Sequence, residues 1–247
     1  MFKNIHLRKS PLLQEQPGLL HGFFGMPDTK VIADDPKLFA AQSRYVAKKM
    51  QVSKSRLIFL NQIHSAKVRP VAAKWASVPA NADAMVTDQR GLALAIKTAD
   101  CAPVLLADVE AGVIGAAHAG WRGALAGILQ QTVLHMTFLG AKSARIVASI
   151  GPCISQESYE VGTEFAEEFL QESLINAQFF LQPSPPKLQF DLAGFCAHQL
   201  RELGIKDCQI DATDTFFEKK QYFSYRRATQ SGESGYGRNI SVLCLPR

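Results

Sequence analysis

Three short segments of this chain set metal-competent side chains among small residues: Asn61-Gln62-Ile63-His64, Thr98-Ala99-Asp100-Cys101-Ala102-Pro103 and Ala117-His118-Ala119-Gly120-Trp121-Arg122-Gly123. Two imidazoles and one thiolate, from His64, Cys101 and His118, make a borderline-soft donor set suited to Zn²⁺. Three protein ligands leave a fourth position for water or substrate, as in catalytic rather than structural zinc sites. Taken singly, each residue has a plainer explanation. A histidine at a strand end commonly serves a structural hydrogen bond, and an isolated cysteine in apolar surroundings is usually a small buried hydrophobe. The long intervals between the three also lack the short spacing of a zinc finger, so on residue types alone both readings stand.

The elements that must position these residues follow from periodicity. Leu57-Ile58-Phe59-Leu60 reads as a strand, which places His64 at a strand end. Val104 to Asp108 and Val113 to His118 read as two strands joined by a tight turn through Gly112. That hairpin would carry Cys101 just before its first strand and His118 at the end of its second, bringing both to one end of a sheet. Val68 to Ala73, Ala84 to Thr87, Leu92 to Lys97, Ala144 to Ile150, Cys208 to Asp211, Tyr222 to Tyr225 and Ile240 to Leu245 supply further strands. Helices are expected from Asp34 or Asp35 with Pro36 into the fifties, over Trp121 to Leu139, over Tyr159 to Leu174, and over Asp191 to Leu203 with Gly204 ending it. The class is α+β or mixed α/β, arranged as one unit over residues 1–247, without repeats or a long linker.

Bulk properties bound the function. The 247 residues are 47% apolar and 20% charged, ordinary values for a folded, water-soluble protein. The most apolar region, Gly91 to Gly120, is interrupted by Lys97, Asp100, Asp108 and Glu110, which argues against a membrane span. Residues 1–20 lack the apolar stretch of a secretory signal, and the five cysteines form no tight pair, so a reduced, cytoplasmic protein is expected. A net charge of +5 is compatible with phosphorylated ligands. The basic residues form no run interleaved with aromatics, so nucleic-acid binding is not expected.

Six segments in this order resemble the YfiH family: the three above, together with Ala82-Asp83-Ala84-Met85-Val86-Thr87, Gly151-Pro152-Cys153-Ile154 and Phe223-Ser224-Tyr225-Arg226-Arg227. The similarity covers nearly the whole chain from about His21. Members of that family have been described as laccase-domain or multicopper polyphenol oxidases and are now regarded as purine nucleoside phosphorylases. The resemblance implies a four-layer α/β/β/α sandwich with mixed sheets and zinc on His64, Cys101 and His118, copper being the alternative metal. It implies phosphorolysis of adenosine, inosine, guanosine and methylthioadenosine, and hydrolytic deamination of adenosine. Some members are described instead as editing factors for a cell-wall precursor.

On this reading His64, Cys101, His118 and Asp100 form the catalytic set, with Asn61, Asp83, Arg122, Arg226 and Arg227 toward substrate. Zinc acidifies water for attack on C6 of adenine, and a guanidinium offers paired donors to phosphate, with Arg238 a further candidate. Asp83 and Asp100 are read as proton handlers or as orienters of the ligands. Trp121 and Tyr225 are candidates for stacking on a base, and Cys153 is read as structural. The partners are a small nucleoside and phosphate, and the chain is expected to be a monomer or weak dimer.

The chain departs from the family after His21-Gly22-Phe23-Phe24, where members usually carry a Thr-Arg pair and a Gly-Gly-Val-Ser stretch. Here Gly25-Met26-Pro27-Asp28 follows, and Ser65 stands where Gly commonly follows the histidine. Three other readings remain beside the zinc-dependent nucleoside phosphorylase. A multicopper phenol oxidase would need more clustered histidines than His6, His21, His135 and His198 add. A metal-free Cys101–His118 hydrolase uses the same residues, and a non-catalytic nucleotide-binding protein uses the same pocket.

Overall fold

The computed structural model describes residues 3–28, 36–72, 79–233 and 235–247. Two mixed sheets stack face to face. The first has the order β1 (Ile5–Arg8), β2 (Leu20–Pro27), β14 (Asn239–Cys244), β6 (Ala93–Thr98) and β3 (Leu57–Ile58). The second runs β13 (Asp207–Ile210), β9 (Val147–Ile150), β7 (Ala102–Asp108), β8 (Val113–Ala119), β5 (Ala84–Thr87) and β4 (Val68–Pro70). Among the described strands of these two sheets, only the pairs β3–β6, β4–β5 and β9–β13 are parallel.

Strict alternation decides what each strand faces. In β7, Leu105 and Ala107 enter the layer between the sheets, where they meet Leu94, Ile96 and Leu243 of the first sheet. Val104 and Leu106 turn instead to the helices α4 (Ile128–Phe138) and α6 (Leu192–Glu202), against Leu129, Val133, Phe195 and Leu200. On the far side, Ala93, Ala95 and Val242 pack beneath α2 (Pro36–Lys49) through Val46 and Ala47, with Met50 just beyond its end. Helix, sheet, sheet and helices therefore form the four-layer α/β/β/α sandwich. Both faces of the central strands are covered, so β7 and β8 are buried at every position, which makes them near-continuous apolar runs. Burying one such leucine or isoleucine contributes about 1.5–3 kcal/mol.

Several elements differ from the sequence reading. The helix expected over Trp121 to Leu139 is two, α3 (Trp121–Leu125) and α4, because Gly127 adopts φ 87° between them, a left-handed turn open mainly to glycine. Tyr222 to Tyr225 is not a strand. Phe223 pairs through its N–H and C=O with the side chain of Asn239, and the Ser224 hydroxyl then accepts from Arg227 N to cap α7 (Tyr225–Gln230). The helix read from Tyr159 starts later, as α5 (Thr163–Glu172). A small sheet of β10 (Glu160–Val161), β12 (Lys187–Phe190) and β11 (Phe180–Ser184) flanks it. Of the expected start of α2, Asp34 and Asp35 lie outside the described residues, as does Ala73 of the strand read after Val68. Among the described residues, no helix is long and apolar enough to cross a membrane.

Candidate metal centre

The β7–β8 hairpin has the register Pro103↔His118 and Ala102↔Ala119, so Cys101 and His118 meet at one sheet end as their spacing implied. His118 shares its strand face with Ile114 and Ala116, between the sheets, and is 3% exposed. His64 is not at a strand end. β3 stops at Ile58, and His64 sits six residues on, in a loop where it holds φ 58°. That conformation is uncommon outside glycine and needs support from its surroundings.

The support is Asp83, whose side chain is fully buried beside β8. Its carboxylate accepts from the backbone N–H of Ile63 at 3.1 Å, His64 at 2.9 Å and Ser65 at 2.6 Å, and from the Ser65 hydroxyl at 2.7 Å. The same Oδ1 takes the His118 Nδ1–H at 2.9 Å, while the Asp83 carbonyl accepts from His118 N at 2.7 Å. One carboxylate thus fixes the loop that carries His64 and the ring of His118. Burial opposes its ionisation, but the donors from His118 and Ser65 prevail and hold its pKa at about 2. With the proton on Nδ1, His118 presents the Nε2 lone pair outward, the arrangement in which a carboxylate orients a metal-binding histidine.

The ligand atoms of His64, Cys101 and His118 lie within 4.8 Å of one another, with Cys101 Sγ 4.0 Å from His64 Nε2. Zinc bonds of about 2.0–2.3 Å would place donors roughly 3.3–3.7 Å apart, so side-chain adjustments of about an ångström close this set on one ion. Gly120 makes room for it: a Cβ there would lie 3.0 Å from both Cys101 Sγ and His64 Cδ2. Burial works against charge on both Cys101 and His118. Their mutual attraction overcomes it, pulling the thiol pKa down and pushing the imidazole pKa up. A thiolate is the form a metal binds. His64 is exposed while His118 is buried, so the donor set has a protein side and an open side.

Asp100 precedes the thiol with φ 86°. Its buried carboxylate accepts from Thr215 Oγ1 at 2.7 Å, Ser224 Oγ at 2.9 Å and Arg226 N at 2.7 Å. It ties the Cys101 turn to the 215–227 segment. Burial is the largest influence and raises its pKa despite these donors. Gln62 does similar work for the His64 loop, bracketing the backbone of Lys97 with its amide at 2.7 and 2.9 Å.

The open side faces a cleft of about 1010 Å³, onto which His64, Cys101, His118, Asn61, Asp100, Arg122 and Arg226 all open. The Asn61 amide donates to Asn81 at 2.6 Å. Arg122 stacks on Trp121 at 4.2 Å, and Trp121 lies 4.6 Å from Phe165. Arg226 donates to the Glu160 carbonyl at 2.9 Å and lies 5.5 Å over Tyr159. Tyr225 faces Tyr236 at 5.1 Å, and Arg238 stacks on Tyr236 at 3.9 Å. Arg227 is elsewhere: its guanidinium donates to the carbonyls of Thr215, Phe216 and Tyr222 at 2.6–2.8 Å and holds the loop before α7. Cys153 is buried and its pKa is raised by burial, as fits a structural thiol. In Gly25-Met26-Pro27-Asp28, Met26 N donates to Gln221 O and the Asp28 carboxylate accepts from Lys3 N and Asn4 N; none of the four lines the cleft.

Sequence reasoning passed over Lys97, Tyr159, Phe165 and Tyr236, all of which line the cleft. Tyr159 and Phe165 carried an apolar signal that was absorbed into a helix. For Lys97, at the end of β6, no sequence pattern marks the side chain.

The profile of the family described as multi-copper polyphenol oxidoreductase laccase matches residues 26–246. A Streptomyces coelicolor protein named purine nucleoside phosphorylase is 39% identical over 83% of this chain and 84% of its own length. A Deinococcus radiodurans protein of the same name is 38% identical over 87% of this chain and 80% of its own. Among solved structures, a Neisseria meningitidis protein superposes with TM-score 0.83 at 27% identity, covering 99% of this chain and 100% of that one. Bacillus licheniformis hypothetical protein YfiH gives 0.83 at 25% identity over 97% and 98%. With the motifs, the sandwich and the profile in agreement over nearly its full length, this chain belongs to the laccase-domain, or YfiH, family.

Proposed function

We propose that this chain is a zinc-dependent enzyme of purine nucleosides, cleaving adenosine, inosine, guanosine or methylthioadenosine with phosphate and deaminating adenosine with water. The observation that carries the reading is the convergence of His64, Cys101 and His118 at the floor of an open cleft, two of them fixed by Asp83. The names of the relatives support the substrate class. The donor chemistry supports zinc, and among the described residues only one cluster of His, Cys, Asp or Glu side chains is placed to hold an ion, which fits one metal rather than the several of a copper oxidase.

His64, Cys101 and His118 would hold the ion, which when bound supplies Lewis acidity at neutral pH. The chain's own residues do the rest. Asp83 keeps the His118 proton on Nδ1, so that only Nε2 is offered to the site. Tyr159, Phe165 and Trp121 give the cleft an aromatic wall suited to a purine. Arg122 and Arg226 place positive charge at its mouth, where phosphate attack on the anomeric carbon needs an anion held against a developing cation. In that step the C–N glycosidic pair leaves with the purine and a phosphate oxygen bonds to the ribose.

The thiolate–imidazolium tendency of Cys101 and His118 also favours a second reading, a metal-free Cys–His hydrolase. Iodoacetamide separates the two: zinc protects Cys101 from alkylation on the first reading and leaves it reactive on the second. The direct test is chromatography of adenosine incubated with and without phosphate. Adenine should form only with phosphate and inosine without it, and Cys101→Ser should lose both. Wild-type protein, loaded with zinc, that forms neither product would refute the proposal.

A further inference from the structure

Of the three rings in the aromatic wall, Trp121, Tyr159 and Phe165, only Tyr159 carries a hydroxyl. Its backbone is pinned on both sides, the N–H donating to Gln156 O and the carbonyl accepting from Phe190 N, each at 3.1 Å. Its ring meets Phe165 at 6.0 Å and Phe190 at 5.9 Å, both edge-on, and the Arg226 guanidinium lies 5.5 Å over it. Contacts on these several sides fix where the hydroxyl is carried.

That hydroxyl has no hydrogen bond to any of the described residues. Nor is it shut away. The Tyr222 hydroxyl is buried without a partner, whereas Tyr159 is half-buried, lines the cleft and keeps its oxygen accessible there. A buried tyrosine that serves packing usually satisfies its O–H on a nearby acceptor. Here the O–H is held ready and turned over to the cleft.

The charges that act on this phenol all line the same cleft. Burial is the largest influence, followed by Cys101, Arg226, Asp100 and Arg122. Burial and the two anions raise its pKa against the two guanidiniums, so the group stays protonated at neutral pH and serves as a donor. Ring contacts connect the two guanidiniums. Arg122 lies 4.2 Å over Trp121, Trp121 is 4.6 Å from Phe165, and Phe165 meets Tyr159, which carries Arg226. The phenol therefore shares one aromatic platform with both cations. The cleft also holds carboxylates: Asp100 is tied to three donors, Glu160 pairs with Lys187 at 3.0 Å, and Glu164 lies back over Gly162 at the start of α5. A fixed O–H donor with two ring-stacked guanidiniums suits a tetrahedral oxyanion, which accepts hydrogen bonds at several oxygens at once.

We infer that the Tyr159 hydroxyl donates a hydrogen bond to the phosphate that Arg122 and Arg226 attract, and so holds that co-substrate in the cleft. That the anion is phosphate rests on the nucleoside reading. The ring of Tyr159 then serves the purine side of the cleft and its oxygen the anion.

Titration calorimetry on zinc-loaded protein, with inorganic phosphate and adenosine as separate probes, tests this beside steady-state phosphorolysis. Tyr159→Phe keeps the ring and its contacts with Phe165, Phe190 and Arg226 and removes only the donor. A hydrogen bond to a charged acceptor is worth about a factor of ten or more, so the Kd of phosphate should rise about tenfold or more, while that of adenosine, which meets the ring, should change far less. In turnover the loss should appear in the KM for phosphate more than in kcat, as for a contact made equally in ground and transition states. A merely structural role would weaken both ligands together and lower the unfolding temperature. Wild-type phosphate affinity in Tyr159→Phe, equal losses for phosphate and adenosine, or wild-type protein that binds no phosphate overturns the assignment. Failure of the nucleoside reading looks different: phosphate binding that drops in Tyr159→Phe, in a protein with no affinity for adenosine, keeps the hydroxyl as an anion donor and removes the nucleoside.

Discussion

Asp83→Asn keeps the shape of the residue on which the metal centre depends and removes its charge. In the native site two carboxylate oxygens receive three backbone N–H groups, one hydroxyl and one imidazole N–H. An asparagine has one acceptor oxygen, so its amide NH₂ must face donors on one side. If Oδ1 is kept toward His64 N and His118 Nδ1, the NH₂ group meets Ser65 N, at 2.6 Å in the native site. The Ser65 hydroxyl can rotate to become the acceptor, which leaves one backbone donor unsatisfied and the charge assistance lost elsewhere. An unsatisfied buried donor costs about 1–3 kcal/mol, and uncharging the remaining bonds adds about as much, for a loss of roughly 2–6 kcal/mol. The His64 loop, held at positive φ by these bonds, should loosen, and metal affinity should fall about 10–100-fold, as for other residues that orient metal ligands. Urea denaturation with and without zinc, beside a competition titration against a chromogenic chelator, measures both quantities. An Asp83→Asn protein with wild-type stability and wild-type zinc affinity would refute the reasoning.

Gly120→Ala places a methyl group 3.0 Å from Cys101 Sγ and His64 Cδ2 in a backbone conformation alanine accepts, φ −73° and ψ 160°; zinc affinity should fall while urea stability of the apo-protein changes by less than about 1 kcal/mol. Arg227→Met removes charged donors from three carbonyls and should destabilise by about 2–4 kcal/mol without raising KM for nucleoside or phosphate, as steady-state kinetics below the unfolding transition would show. His21 is buried, with its Nε2 accepting from Ser10 N at 2.9 Å, and burial lowers its pKa to about 4. Because the unfolded chain takes up that proton near pH 6.5, this contribution is complete above that pH and is lost as pH falls toward 4. Wild type should lose about 2 kcal/mol between pH 7 and pH 5 that His21→Gln does not lose, measured by urea titrations at both values.

What the sequence made legible followed physical locality. The β7–β8 hairpin is a pair of apolar runs closed by a turn at Gly112, and its register alone brings Cys101 to His118. The third donor is a different case. His64 is placed by a carboxylate 19 residues away that gathers three backbone N–H groups, and no periodicity records such a contact. The sequence offers Asp100 as an orienter of the ligands but hides its partners, and it hides the structural role of Arg227, for the same reason: these partners are hydroxyls and carbonyls of distant loops. The break at Gly127 was marked by a glycine, yet the apolar spacing ran through it. Tyr222 to Tyr225 reads as a strand from its aromatic residues, but Phe223 pairs with the side chain of Asn239 rather than with a strand, and the chain turns into α7.

Zinc-edge X-ray absorption on protein purified without an affinity tag tests the central claim most directly. One zinc per chain with a first shell of two imidazole nitrogens and one sulfur, the sulfur lost in Cys101→Ser, is the predicted result. A shell without sulfur in the wild-type protein, or protein that binds no zinc when the ion is supplied, would contradict it.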